Sequence, residues 1–169
     1  YTIPDSVTNI GSDAFYGCTG LTEIAIPSSV NRIAWASFFN CTGLKEIHIP
    51  TSVTSIEGDA FCGCINLTEV HIPDSVTSIG DGAFAACTGL TEIKIPAGLT
   101  SIPSDAFTAC TGLTEIMIPN GVESIKSEAF LDCKGLKKIE LPVSVTRIEG
   151  SAFELCNNLS EVFYAGTKE

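Results

Sequence analysis

Apolar and polar positions along this chain follow a pattern that returns every 23 residues. The cleanest copy, IPDSVTSIGDGAFAACTGLTEIK, runs over residues 72–94. Eight slots carry the apolar frame: Val76, Ile79, Ala83, Phe84, Cys87, Leu90, Ile93 and the Ile95 that opens the next copy. The step does not drift. Proline recurs at Pro4, Pro27, Pro50, Pro73, Pro96, Pro119 and Pro142, and phenylalanine at Phe15, Phe38, Phe61, Phe84, Phe107, Phe130 and Phe153. Cysteine keeps the same interval from Cys18 to Cys156, and leucine from Leu21 to Leu159. A fixed period in this range marks a solenoid, in which each unit buries its apolar face only against its neighbours.

The pattern within one unit predicts its elements. Ile72-Pro73 ends a strand, because proline has no N–H with which to continue a ladder. Asp74-Ser75 turns the chain, and residues 76–79 form a short extended piece with Val76 and Ile79 pointing inward. A second turn over 80–82 leads into Ala83-Phe84-Ala85-Ala86-Cys87, compact enough for one turn of 3₁₀ or α helix. Thr88-Gly89 then feeds a longer strand over 90–95. Alternation along it directs Ile93 and Ile95 into the coil and Glu92 and Lys94 out to solvent. The phenylalanines should form one column along the rod and supply much of its buried area.

Composition narrows the class without changing this frame. At 44% apolar and 17% charged residues the chain has ample core material. No apolar run approaches the roughly 20 residues needed to span a bilayer, so membrane insertion is not expected. No basic-then-apolar leader opens the chain, but both ends fall inside the repeat and no capping segment is evident. Residues 1–169 therefore read as one solenoid of seven units plus a partial last one, a piece of a longer protein. The net charge of −11 argues against nucleic acid, whose binders present a basic face. Five of the nine basic residues nevertheless cluster at Lys126, Lys134, Lys137, Lys138 and Arg147. That segment reads either as a solvated surface or as a feature that orients a partner.

Seven of the eight cysteines share one slot. Stacked on parallel rungs roughly 5 Å apart, their side chains point the same way and do not face each other. They are expected as reduced core thiols rather than a disulfide framework. Cys62 lies off this column and reads as a free, partly exposed thiol with no evident base beside it.

The combination L-x-x-I-x-I-P, V-x-x-I and A-F-x-x-C resembles the leucine-rich repeats of the BspA-like, Treponema-type family, over essentially the whole chain. The closing residues, from Val162 to Glu169, also resemble the variant last repeat of such proteins. The resemblance implies a right-handed curved solenoid, mainly β, with a parallel sheet on its concave face. It further implies a bacterial cell-surface or secreted protein with a role in adhesion or host-protein binding.

Candidate chemistry lies in the outward slots of the main strand. The first holds Glu23, Glu46, Glu69, Glu92, Glu115, Lys138 and Glu161. Carboxylates about 5 Å apart repel by roughly 0.8 kcal/mol in bulk water, so this column either keeps the face soluble or awaits a basic partner. The second varies: Ala25, His48, His71, Lys94, Met117, Glu140, Phe163. Variation over an invariant frame is what a binding surface and neutral drift both produce. Two histidines beside two glutamates are ligand types that zinc accepts, yet flat parallel strands do not converge four side chains on a tetrahedron. No metal site or cofactor is expected. The second unit departs from the frame with Trp35 and Phe39, which either form an exposed aromatic patch or pack on each other or on an N-terminal neighbour.

No triad, phosphate loop or metalloprotease motif is present, and the paired carboxylates form a surface ladder rather than a pocket, so no enzymatic activity is expected. The leading expectation is a protein-binding module, its partner a host matrix or serum protein. Contacts are expected along Glu46, His48, Glu69, His71, Glu92, Lys94, Glu115 and Met117. A structural spacer and a glycan-binding module using Trp35 and Phe39 are the alternatives. Nothing in the pattern sets the oligomeric state.

Overall fold

The computed structural model describes residues 2–165, so the ends of the chain, including 166–169 of the closing variant unit, lie outside the described residues. Two kinds of strand alternate along the chain. One is the outward-facing strand at the end of each unit: β1 (Glu23–Ala25), β3 (Glu46–His48), β5 (Glu69–His71), β8 (Glu115–Met117), β10 (Lys138–Leu141) and β12 (Glu161–Tyr164). The other is the two-residue strand after the proline turn: β2 (Arg32–Ile33), β4 (Ser55–Ile56), β6 (Ser78–Ile79), β7 (Ser101–Ile102), β9 (Ser124–Ile125) and β11 (Arg147–Ile148). Every strand pair is parallel and advances by one unit, so β1-β3-β5 and β8-β10-β12 form one face, while β2-β4-β6 and β7-β9-β11 form a second. The chain is a β-solenoid.

Each slot of the unit has a structural reason. The proline carbonyl accepts the N–H three residues on, as in Val53 N to Pro50 O at 3.0 Å, closing the turn that the missing proline N–H opens. Alternation holds along the main strand, where Ile47, Val70 and Ile116 are buried while their neighbours on either side are exposed. The phenylalanines stack in an unbroken column from Phe15 to Phe153, ring centroids 5.2–5.8 Å apart and nearly parallel. That spacing exceeds the roughly 4.8 Å between paired strands. The rungs therefore fan apart on the phenylalanine side, and the main-strand face lies on the inside of the curve.

The expected helical turn around each phenylalanine is not there. Among the described residues no helix occurs, and these segments are chains of turns. The residues two before and two after each phenylalanine are left-handed, as at Ala36 (φ 50) and Asn40 (φ 54) around Phe38. This geometry aims alternate N–H groups along the axis. Ala36, Phe38 and Asn40 donate to Gly58, Ala60 and Cys62 of the next unit at 3.0, 2.9 and 2.7 Å. A helix would have spent those donors within its own turn. The turn segments thus make a third ladder between units, on the outer side of the curve, and its bonds offset the left-handed penalty of about 1–2 kcal/mol per residue.

All eight cysteines are free thiols. From Cys41 to Cys156 each Sγ lies 3.0–3.2 Å from the carbonyl oxygen of the phenylalanine in the preceding unit and donates to it. Burial pushes Cys41 and Cys62 up to about 11, and Cys64 and Cys110 up to about 12, so these thiols are protonated at neutral pH and are poor nucleophiles. The nearby charge of Asp59 adds to the effect at Cys62, which is half-buried.

Candidate functional site

The register places the expected contact residues in two columns on the inner face. On one half Glu23, Glu46 and Glu69 stand side by side, with Ala25, His48 and His71 next to them. On the other half Glu115, Lys138 and Glu161 align, beside Met117, Glu140 and Phe163. Glu92 and Lys94 occupy the same slots between the halves but outside any strand. Glu46, His48, Glu69, His71, Glu92, Lys94, Glu115 and Met117 are all exposed, and Met117 is 65% exposed although apolar.

The face is a trough rather than a plane. One depression of about 450 Å³ is lined by Glu23, Glu46, His48, Glu69 and His71, among others. A second, of about 610 Å³, has Val70, Ile93 and Ile116 in its lining together with Glu92, Lys94, Glu115, Met117 and Lys138. Glu69 and His71 border both, so the two are continuous. Five acidic residues in the lining of the larger one, Glu69, Asp74, Glu92, Glu115 and Glu140, outnumber Lys94 and Lys138 and make it electronegative. Lys94 reaches sideways to Asp74, 3.3 Å away. Lys138 lies 2.6 Å from Glu140 and 5.2 Å from the centroid of the Phe163 ring. Its hydrogen bond to Glu140, reinforced by the charges of Glu140, Glu115 and Glu161, holds its pKa above the usual lysine value.

The basic segment resolves into local pairs. Lys126 and Arg147 both approach Glu149, at 3.2 and 3.3 Å, and Lys134 lies 2.9 Å from Asp132. The hydrogen bond from Lys126 lowers the pKa of Glu149. These exposed pairs fit a solvated surface better than a free cationic patch.

Trp35 and Phe39 lie in different surroundings. The Trp35 indole covers Gly58, where an added Cβ would come 3.3 Å from its Cδ1, and the Trp35 backbone N–H donates to Glu57 at 3.0 Å. Glu57 in turn holds Arg32 at 2.8 Å. Phe39 instead stacks on Tyr16 of the preceding unit, with centroids 4.9 Å apart. Tyr16 is 54% exposed and Trp35 48%. Sequence reasoning missed Tyr16, although it stands one period before Phe39 in the same slot.

The BspA type leucine rich repeat region matches this chain over residues 1–110 and 78–167. No curated protein matches it. Among solved structures it is similar to a leucine rich cell surface protein from Faecalibacterium prausnitzii, at 36% identity and a TM-score of 0.74, over 98% of this chain and 53% of that one. A leucine rich repeat protein of T. pallidum aligns at 27% identity with a TM-score of 0.86, over 94% of this chain and 77% of that one. A leucine-rich repeat protein from Bacteroides ovatus aligns at 26% identity and 0.60, over 96% of this chain and 62% of that one. The chain thus spans about half the length of the Faecalibacterium protein. No helix of the described residues is long and apolar enough to cross a membrane.

Proposed function

The chain belongs to the family of BspA-type leucine-rich repeats, and from that premise we propose that it is a non-catalytic protein-binding module of a bacterial cell-surface or secreted protein. The partner lies along the inner trough and presents basic side chains to it. One observation carries this reading. The carboxylates of Glu46, Glu69, Glu92 and Glu115 line a continuous depression whose second column, His48, His71, Lys94 and Met117, changes character from unit to unit. The uniform column supplies attraction to a cationic surface, and the varied one supplies discrimination. A host matrix or serum protein is the partner class of choice.

Affinity capture from a mixture of such proteins tests the reading, comparing the chain with a Glu69→Lys, Glu92→Lys, Lys94→Glu variant that folds equally well by circular dichroism. A partner held by the parent, released by added salt and lost in the variant supports it. Capture by both moves the site off this face, and capture by neither favours a spacer that presents another domain. A second reading, glycan binding at Trp35 and the Tyr16–Phe39 stack, draws on the exposure of Trp35 and of Tyr16, which rests on the half-buried Phe39. It predicts retention lost with Trp35→Ala while the charge variant stays active.

A further inference from the structure

Both strand ladders lapse at the middle of the solenoid. The main-strand face divides into β1-β3-β5 and β8-β10-β12, with residues 92–94 paired to neither, and the second face divides between β6 and β7. The backbone bonds that recur every 23 residues show where continuity fails. Thr68 N donates to Lys45 O at 3.0 Å and Lys137 N to Thr114 O at 2.8 Å. Between residues 72–94 and 95–117 the bond from Thr114 to Thr91 stretches to 3.4 Å, and between 49–71 and 72–94 no bond joins Thr91 N to Thr68 O. This face therefore lapses on both sides of residues 92–94.

The second face has a covalent cause. Glu57, Gly80, Lys126 and Glu149 each donate their N–H to the isoleucine carbonyl one unit back, at 2.8–3.0 Å. The same slot in the fifth unit is Pro103, which has no N–H to give to Ile79. A serine ladder also stops here. Ser29, Ser52 and Ser75 bond the preceding unit's valine carbonyl at 2.6–2.8 Å, but Gly98 follows them.

Packing loosens at the same boundary. Phe84 and Phe107 are 5.8 Å apart, against 5.2–5.4 Å elsewhere in the column, and Ile79 and Ile93, at 8%, are the most exposed members of the buried core. The outer turn ladder runs on at full strength, with Gly82, Phe84 and Ala86 donating to Ser104, Ala106 and Thr108 at 2.7–2.9 Å, and beside it the Cys110 thiol still reaches Phe84 O at 3.2 Å.

We propose that the solenoid is jointed between its fourth and fifth units, 72–94 and 95–117, with the outer turn ladder as hinge and the inner face opening over the 610 Å³ depression. The joint adjusts the width of the trough at its centre. Its first cause is the missing donor at Pro103, to which the missing hydroxyl at Gly98 adds. Gly121 lacks the same hydroxyl one unit on, yet β7 and β9 stay paired there, so the hydroxyl by itself does not set the joint.

Residue-resolved hydrogen exchange on the whole chain tests this directly. The amides of Ile93 and Thr100 exchange about 100-fold faster than their counterparts Ile47 and Ile116, and Thr77 and Glu123. A Pro103→Glu, Gly98→Ser variant supplies both donors, since glutamate already serves at positions 57 and 149. An added Cβ at Gly98 lies 3.4 Å from Val76 O, with the exposed Thr77 methyl at 3.1 Å turning aside. In this variant exchange at Thr100 and Ile102 slows about 10-fold. Equal protection across all units in the parent overturns the joint, whether or not the variant folds. A folded variant with unchanged exchange overturns its assignment to these two residues.

Discussion

The Sγ of Cys64 lies 3.2 Å from the carbonyl oxygen of Phe38, in the unit before its own, and donates its proton there. The same contact repeats in every later unit, so the cysteine column links units as well as filling the core. A thiol small enough to be buried and still able to donate suits that slot, where alanine would leave the acceptor without its second donor.

Alkaline pH should therefore destabilise the fold. The folded pKa of Cys41 and Cys62 is about 11 and of Cys64 and Cys110 about 12, above the ordinary thiol value of 9.0. Below pH 9 both states hold the proton, and the stabilisation is complete. Above it the unfolded chain ionises first, and each thiol withdraws up to about 1.4 kcal/mol per pH unit until its folded pKa is reached. Denaturant midpoints measured from pH 8 to 11 should fall steadily, and less steeply for Cys64→Ala. A flat profile would contradict buried protonated thiols.

Ser37 occupies the slot held by alanine at positions 14, 60, 83, 106, 129 and 152. It is fully buried and its hydroxyl has no hydrogen-bond partner. Ser37→Ala should raise stability by about 1–3 kcal/mol in urea unfolding, the desolvation cost of an unsatisfied hydroxyl. Loss of stability would mean that the hydroxyl is satisfied after all.

Ala86 is left-handed at φ 56, two residues after Phe84, where Gly63 stands in the preceding unit. Glycine removes the steric penalty there but adds freedom to the unfolded chain. Ala86→Gly should be net stabilising by about 0.5–1 kcal/mol. The same change at Ala85, one residue away and not left-handed, should destabilise; equal effects at both would refute the turn geometry.

Phe84 is fully buried at the centre of the aromatic column, whereas Phe153 at its end is only partly covered. Phe84→Ala should cost about 3–5 kcal/mol and Phe153→Ala clearly less. Comparison of the two by chemical denaturation checks that the column is one continuous core.

Much of this was legible in the chain because each slot of a solenoid meets its own copies. The period placed Glu46 beside Glu69 and His48 beside His71, and alternation sent Ile47 inward. The turns around Phe38 were not legible, because Ala36 and Asn40 are left-handed in order to bond the next unit, a non-local demand that a compact A-F-x-x-C segment does not announce. Pro103 was visible as a proline off the column, but its effect depends on knowing that this slot's N–H points at Ile79. Tyr16 was one period from Phe39 and needed only the same step.

The proposed partner lies in the inner trough. Hydrogen exchange of the chain with and without its captured partner tests it most directly, since every face of the rung carries its own amides. A partner seated there slows exchange in β3, β5, residues 92–94 and β8 alone. Slowing confined to the outer turns around Tyr16, Trp35 and Phe39, with the trough unchanged, would contradict it.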